Sequence, residues 1–279
     1  MTERDGVGFL HWCLPILGLR WAGYRRVHRQ VCKRLARRLA ALRLADLAAY
    51  RAYIEGHNEE WAEVEAACLI PISRFFRDRA VFDLLADRVL PKIARRKQAA
   101  GGAIRCWSLG CASGEEPYSL NILWKLGPGR RFPGMALDIL ASDAAPHLLA
   151  RARRGCYGAG SLKEVPASWR DEAFERQGPL YCVKAPFRSG IAFVHADASR
   201  TLPEGPFDLL MCRNVVFTYF DAARQADMLA RLRAVMAPGG YLVVGRKEEL
   251  PVGREEFEAL DGGPVYRLPC RGGAAGPDD

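Results

Sequence analysis

After residue 103 short apolar runs alternate with helical segments, and this rhythm constrains the fold more than any other feature of the chain. Residues 104–109, 136–142, 191–195, 207–212 and 241–244 are short, apolar and bounded by turn residues, which predicts strands. Between them, residues 117–124, 146–153 and 222–236 carry helical spacing. Such alternation builds a mostly parallel sheet with helices on both faces, the doubly wound α/β class. Residues 157–188 break the rhythm and predict a small insertion at about 157–190. Ahead of residue 91 the pattern is helical throughout. Val27, Val31, Leu35 and Leu39 recur every four residues, while Arg25, Arg26, Arg29, Lys33, Arg34, Arg37, Arg38 and Arg43 cover the other faces of one amphipathic helix. Residues 46–54 follow as a second helix with Asp46 as its cap, then 59–69 and 79–90. A helix end and linker at 92–102 divide the chain into a helical domain, 1–95, and an α/β domain, 103–279.

Composition narrows the class. At 49% hydrophobic and 26% charged, the 279 residues suit a globular protein and exclude a disordered or collagen-like chain. A net charge of +9 admits nucleic acid, an anionic membrane or an acidic protein as partner. Nine cysteines lack the paired spacing of a metal site, so reduced thiols and no bound metal are expected. The apolar residues 8–19 follow Glu3, Arg4 and Asp5 and precede no small-residue cleavage site, unlike a signal peptide. No stretch reaches the roughly 20 apolar residues of a membrane span, and a cytoplasmic protein without membrane insertion is expected.

Doubly wound sheets bind ligands beyond the carboxyl ends of their strands. The first strand ends in Gly110-Cys-Ala-Ser-Gly114, followed by Glu115 and Glu116. Glycines there let backbone approach a ligand, but the spacing is not GxGxxG and the two carboxylates repel a pyrophosphate. A ligand with positive charge is indicated. The second strand ends at Asp143, suited to ribose hydroxyls, and the third at Asp197, suited to an adenine amino group. The fourth ends in Arg213 and Asn214. In that order, these groups suggest S-adenosyl-L-methionine in a methyltransferase domain.

From about residue 8 to 268 the chain resembles the chemotaxis-receptor glutamate methyltransferases, the CheR family. Ser73-Arg-Phe-Phe-Arg-Asp78 is similar to the family's T-x-F-F-R-[DE], and Trp107-Ser-Leu-Gly-Cys-Ala-Ser-Gly-Glu-Glu-Pro-Tyr-Ser119 to its W-S-x-x-C-S-x-G-E-E-P-Y-S. Ala141-Ser-Asp143, Cys212-Arg-Asn-Val215, Tyr219-Phe-Asp221 and Pro238-Gly-Gly-Tyr-Leu242 follow in the family's order. The resemblance implies a Rossmann-like class I methyltransferase with a small all-helical N-terminal domain. It implies that Ser73 and Arg77 bind the methionine end of the cofactor, that Glu116 and Asp143 share its amino and ribose groups, and that Arg213 and Asn214 line the pocket near the methyl. Gly110 and Asp197 complete the cofactor set, and Arg77 and Tyr219 are the residues implied beside the reaction. The implied activity is methylation of receptor glutamates, with an acidic helical region of methyl-accepting receptors docked on the basic helix by a monomeric enzyme. No DNA is expected.

The chain departs from the family at Pro71 (asparagine), at Asp197-Ala198 (Asn-Leu), by one extra residue between Asn214 and Tyr219, and at Arg246-Lys247 (His-Ser). Two other functions stay open at this level: methylation of RNA or a small molecule, and a non-catalytic regulator that binds the cofactor. The basic helix permits RNA, but the chain has no N-P-P-Y motif and no aromatic-rich recognition module. The basic helix face is either a docking surface or an ordinary solvated one. A carboxylate acceptor, with a pKa near ~4.3, needs no general base. Such an enzyme works by aligning oxygen, methyl and sulfur, which can contribute effective molarities of about 10⁵ M.

Overall fold

The computed structural model describes residues 2–251 and 253–270, which divide into two compact units. The first runs to Pro71 and includes Thr218–Gln225. The expected break near 91–103 therefore falls inside the second unit, for a reason given below.

In the first unit five helices, α1 (Glu3–Ile16), α2 (Trp21–Tyr24), α3 (His28–Leu42), α4 (Leu47–Gly56) and α5 (Trp61–Cys68), enclose a core of their own. The apolar stretch 8–19 folds mostly as α1, opened by a capping box in which Thr2 and Asp5 exchange hydrogen bonds. Asp46 caps α4 by accepting from the Ala49 N–H at 2.8 Å. On α3 the stripe Val31, Leu35 and Leu39 is buried as its spacing predicts. Its basic residues are not equivalent, however. Arg34 donates to the carbonyls of Ala67 and Leu69 at the end of α5, and Arg38 makes a two-pronged pair with buried Glu60 at 2.7 and 2.6 Å. Arg29 reaches Glu3 at 3.1 Å. Exposed Arg25, Arg26, Lys33, Arg37 and Arg43 remain as the outward basic surface.

The second unit contains α6 (Arg79–Leu84), α7 (Leu90–Ala100), α8 (Glu115–Leu126), α9 (Pro146–Arg154), α10 (Ala167–Ala173) and α11 (Ala185–Arg188). Helices α12 (Val216–Tyr219) and α13 (Ala222–Ala234) run across the division between units. Its strands are β1 (Ile104–Leu109), β2 (Leu137–Asp143), β3 (Cys156–Gly158), β4 (Phe174–Gln177), β5 (Leu180–Val183), β6 (Ile191–His195), β7 (Phe207–Cys212), β8 (Met236–Val244), β9 (Glu258–Ala259) and β10 (Val265–Arg267). Seven of them form one sheet in the order β6-β2-β1-β7-β8-β10-β9, parallel except at β10 and β9. This is the expected doubly wound, mostly parallel architecture. Central β7 is buried along its whole length, whereas edge strand β6 is half-exposed.

Helix α7 explains why the units divide at Pro71. Phe82, Leu85, Val89, Leu90 and Ile93 of α6, α7 and the π-turn joining them pack in one cluster with Ile104 of β1 and Leu209 of β7. Arg96 and Lys97 then pair with buried Asp208 of β7 at 2.9 and 3.0 Å, and Asp208 also accepts the Arg105 N–H. The segment read as a linker is a helix fastened to the sheet.

The insertion is a three-stranded sheet, β3-β5-β4. Cys156 and Cys182 are register partners on its antiparallel strands β3 and β5, and they form a disulfide. The expectation of nine reduced thiols is thereby corrected to seven free cysteines and one bridge. The pairing joins residues far apart in sequence, which spacing alone does not reveal. Among the described residues no helix is long and apolar enough to cross a membrane, and no group of three or more His, Cys, Asp or Glu is placed to hold a metal ion.

Candidate active site

Strand order runs outward from β1 to β2 and β6 on one side and from β7 to β8 on the other, so the topological switch point lies between β1 and β7. A crevice outside the strand ends opens at such a point. The loop 110–114 after β1 and residues 213–214 after β7 both lie there by topology.

Arg213 is the centre of the cluster. Its side chain is 2% exposed and is held by two carboxylates, Asp78 at 2.9 Å and Glu116 at 3.2 Å. It also donates to the main-chain carbonyl of Arg77 at 2.6 Å, and Phe82 presents its ring 5.4 Å from the guanidinium. Glu116, in the first turn of α8, accepts on its other oxygen from the Ser108 hydroxyl at 2.8 Å. Three segments distant in sequence, 72–78, 108–116 and 213, thus converge on one buried guanidinium. The Arg213 Nε–H is buried with no protein acceptor.

Asp143, at the end of β2, is half-buried. It accepts from the Ala112 N–H on one oxygen and the Ala145 N–H on the other, each at 2.8 Å. Burial raises its pKa above the usual aspartate value, opposed by those two hydrogen bonds and by His147 and His195 nearby. Its carboxylate therefore stands where desolvation is costly, and each oxygen keeps a lone pair beyond the backbone bond.

The glycines of this loop also have a packing reason of their own. Gly110 has φ +69°, and a Cβ there would meet the Val215 side chain at 2.6 Å. At Gly114, with φ +92°, a Cβ would lie 2.9 Å from Ala152. Both are required by packing of the protein on itself. Tyr157 of the insertion fixes the same loop by donating to the Ser113 carbonyl at 2.6 Å.

The other expected residues are placed as follows. Half-buried Ser73 and Arg77 flank Phe75 and Phe76, which are core aromatics. Arg77 donates to the Ile72 carbonyl at 2.9 Å. The Asn214 N–H donates to Glu248, which also accepts the Gly245 N–H and so ties the end of β7 to the end of β8. Asp197 is engaged in its own turn, accepting from the Ser199 N–H and hydroxyl and pairing with Arg200 at 3.3 Å. Tyr219 belongs to the first compact unit, where its ring meets Tyr24 with centroids 5.0 Å apart. Sequence reasoning missed Ser108, Tyr157, Glu248 and above all Asp78, although Asp78 closes the Ser73–Asp78 motif.

Of the six non-glycine residues with positive φ among the described residues, four lie in these segments: Phe76 (53°), Asp78 (59°), Ala112 (48°) and Asn214 (58°). Such conformations cost energy and persist where surrounding contacts impose them, as at ligand sites.

The donor set fits S-adenosyl-L-methionine. Carboxylates at Glu116 and Asp143 suit ammonium and ribose hydroxyls, and the guanidinium of Arg77 suits a carboxylate.

Comparison with known proteins agrees with that chemistry. Residues 72–265 match the CheR methyltransferase, SAM binding domain. The chain is 33% identical over 286 residues to the chemotaxis protein methyltransferase of Salmonella typhimurium, covering 96% of this chain and 93% of that one. To the enzyme of the same name from Escherichia coli it is also 33% identical, with 96% and 94% covered. An uncharacterized 104.1 kDa protein of Rhodobacter capsulatus is 30% identical over 230 residues, and there the match spans only 24% of the longer protein. For the Listeria innocua chemotaxis protein methyltransferase, 35% identical over 181 residues, the match spans 66%. The chain belongs to the CheR methyltransferase family.

Proposed function

We propose that this protein methylates glutamate side chains of chemotaxis receptors in the cytoplasm, acting as a monomer with S-adenosyl-L-methionine as methyl donor. The observation that carries this reading is the Asp78–Arg213–Glu116 cluster at the topological switch point, beside Asp143. When bound, the cofactor supplies a methyl group on a positively charged sulfur. Glu116 and Asp143 would hold its ammonium and ribose, and Ser73 with Arg77 its carboxylate. Asn214 would border the methyl, with Asp197 toward the adenine. The acceptor glutamate is ionised at neutral pH, so the protein's task is alignment and exclusion of water, with no proton to remove.

Exposed Arg25, Arg26, Lys33 and Arg37 of α3 and the turn before it give the acidic receptor helix a complementary surface. Arg34 and Arg38 stand apart from that role because they fasten α3 to α5 and Glu60.

The test is incubation of the protein with methyl-labelled cofactor and a receptor cytoplasmic fragment. Label should enter the fragment and leave as methanol in mild base, the signature of a methyl ester. Label that resists base, or transfer only to RNA, would sink the reading. Replacing Arg25, Arg26, Lys33 and Arg37 by glutamate should raise KM for the receptor and flatten its salt dependence, since screening over a Debye length of about 8–10 Å weakens only the parent's attraction. An equal salt dependence in both would return α3 to an ordinary solvated face.

A further inference from the structure

Asp78 occupies the residue before α6, the position at which an aspartate ordinarily caps a helix. It makes no such cap. Its carboxylate turns instead to Arg213, and α6 begins without a side-chain hydrogen bond at its N-terminus. Asp78 also adopts the left-handed conformation (φ 59°, ψ 63°), uncommon for a non-glycine residue though aspartate tolerates it better than most. The capping preference is set aside, and an uncommon backbone conformation adopted, to bring one carboxylate to one guanidinium.

The geometry around that guanidinium shows what is gained. One nitrogen of Arg213 grips both the Asp78 carboxylate and the Arg77 carbonyl, and the other nitrogen takes Glu116. Removing the Asp78 charge leaves Arg213 with Glu116 as its only carboxylate among these contacts, free to rotate toward it and release the Arg77 main chain. Phe76, left-handed like Asp78, is held from the other side by the Ser119 hydroxyl, which accepts its N–H at 2.9 Å. Residues 76–78 are thus held at Phe76 by α8 and at Arg77 and Asp78 by Arg213.

We propose that Asp78 is a positioning residue for methyl transfer: acting through Arg213, it fixes Arg77 and Glu116 in the relative placement that the cofactor requires. This inference rests on the reading of the site as an S-adenosyl-L-methionine site. It adds a residue that works through another instead of through the ligand.

The experiment compares the full-length parent with Asp78→Asn, Asp78→Ala and Asp78→Glu, and with Asp83→Asn as a control on the exposed Arg79–Asp83 pair. Three readouts are taken: calorimetric binding of S-adenosyl-L-homocysteine, kcat and KM for receptor methylation, and hydrogen exchange of the ligand-free proteins across 72–84 and 213–217. Asp78→Asn and Asp78→Ala should weaken binding about ten-fold, the scale of a lost charge-assisted hydrogen bond, and lower kcat as well. Exchange should quicken in those two segments only. Asp78→Glu should recover most of the binding, because its carboxylate can still reach Arg213, and the control should match the parent. Binding and kcat unchanged in Asp78→Asn would overturn the proposal. So would Asp78→Glu failing as badly as Asp78→Ala with an equal fall in melting temperature, since that pattern describes a purely structural residue. If the parent itself binds no S-adenosyl-L-homocysteine, the reading of the site falls and the proposal with it. A binding parent beside indifferent variants refutes the proposal alone.

Discussion

Removing the Asp143 carboxylate tests whether this residue organises the loop after β1 as well as facing a ligand. In Asp143→Ala the N–H groups of Ala112 and Ala145 lose their acceptors together. An orphaned buried donor costs about 1–3 kcal/mol, and Ala145 starts a helix beside exposed residues where water can partly replace the lost oxygen. A total near ~2–4 kcal/mol follows, equivalent to a fall of ~5–15 °C in melting temperature for a domain of this size. Asp143→Asn keeps one oxygen and should lose roughly half as much.

The pH dependence has a defined sign. Burial raises the Asp143 pKa above its ordinary value, so the folded protein holds that proton to higher pH than the unfolded chain does. The associated stability is complete below the unfolded pKa of about 3.9 and is lost as pH rises through the folded value. The variant's deficit should therefore be larger near pH 4 than near pH 8. Differential scanning calorimetry across that range measures the deficit, and titration with S-adenosyl-L-homocysteine measures affinity, which should fall at least ten-fold in Asp143→Ala, the worth of a charge-assisted hydrogen bond. A variant that melts with the parent and binds equally well, or whose deficit grows toward alkaline pH, would refute the reasoning.

Glu60→Gln replaces the carboxylate paired with Arg38 by a neutral amide, whose one oxygen can still accept from Tyr50, and should cost ~2 kcal/mol, less than a fully buried pair because a third of Arg38 is in water. Hydrogen bonding to Arg38 lowers the Glu60 pKa, so that stability is present above the unfolded value near ~4.3 and is lost as pH falls through the folded one; chemical denaturation at pH 7 and pH 3.5 should show a smaller penalty for the variant at the lower pH. For the cysteines, protein purified without reductant and then denatured should expose seven reactive thiols, and two more after reduction. Nine thiols before reduction would remove the Cys156–Cys182 bridge.

The sheet was legible because its central strands are short and nearly all apolar: Phe207–Cys212 is buried at every position, and a run of that kind fits few other places. The stripe of α3 was legible because helical spacing is local. What stayed hidden was set at long range. Residues 92–100 look like the polar tail of a helix until Asp208, more than a hundred residues on, receives Arg96 and Lys97. In sequence Arg34 and Arg38 look no different from their exposed neighbours Lys33 and Arg37, and only the placement of α5 and Glu60 separates the two kinds.

The site divides along the same line. Asp143, Glu116 and Arg213 could be found because the parallel topology places strand ends together, so chain order alone nominates them. Asp78 could not be found that way, since an aspartate before a helix reads locally as a cap, and that local reading is the one the structure overrules. Phe76 and Ala112 repeat the pattern: each takes a left-handed backbone that its side chain disfavours, held by Ser119 and Asp143 respectively, while Asn214, a residue type that enters this region more readily, is held there by Glu248. Local sequence preferences are sound guides where packing agrees with them. They fail together in the loops around Arg213, and a cluster of such failures, each with its own restraining hydrogen bond, marks a place where the fold holds geometry for something other than its own stability.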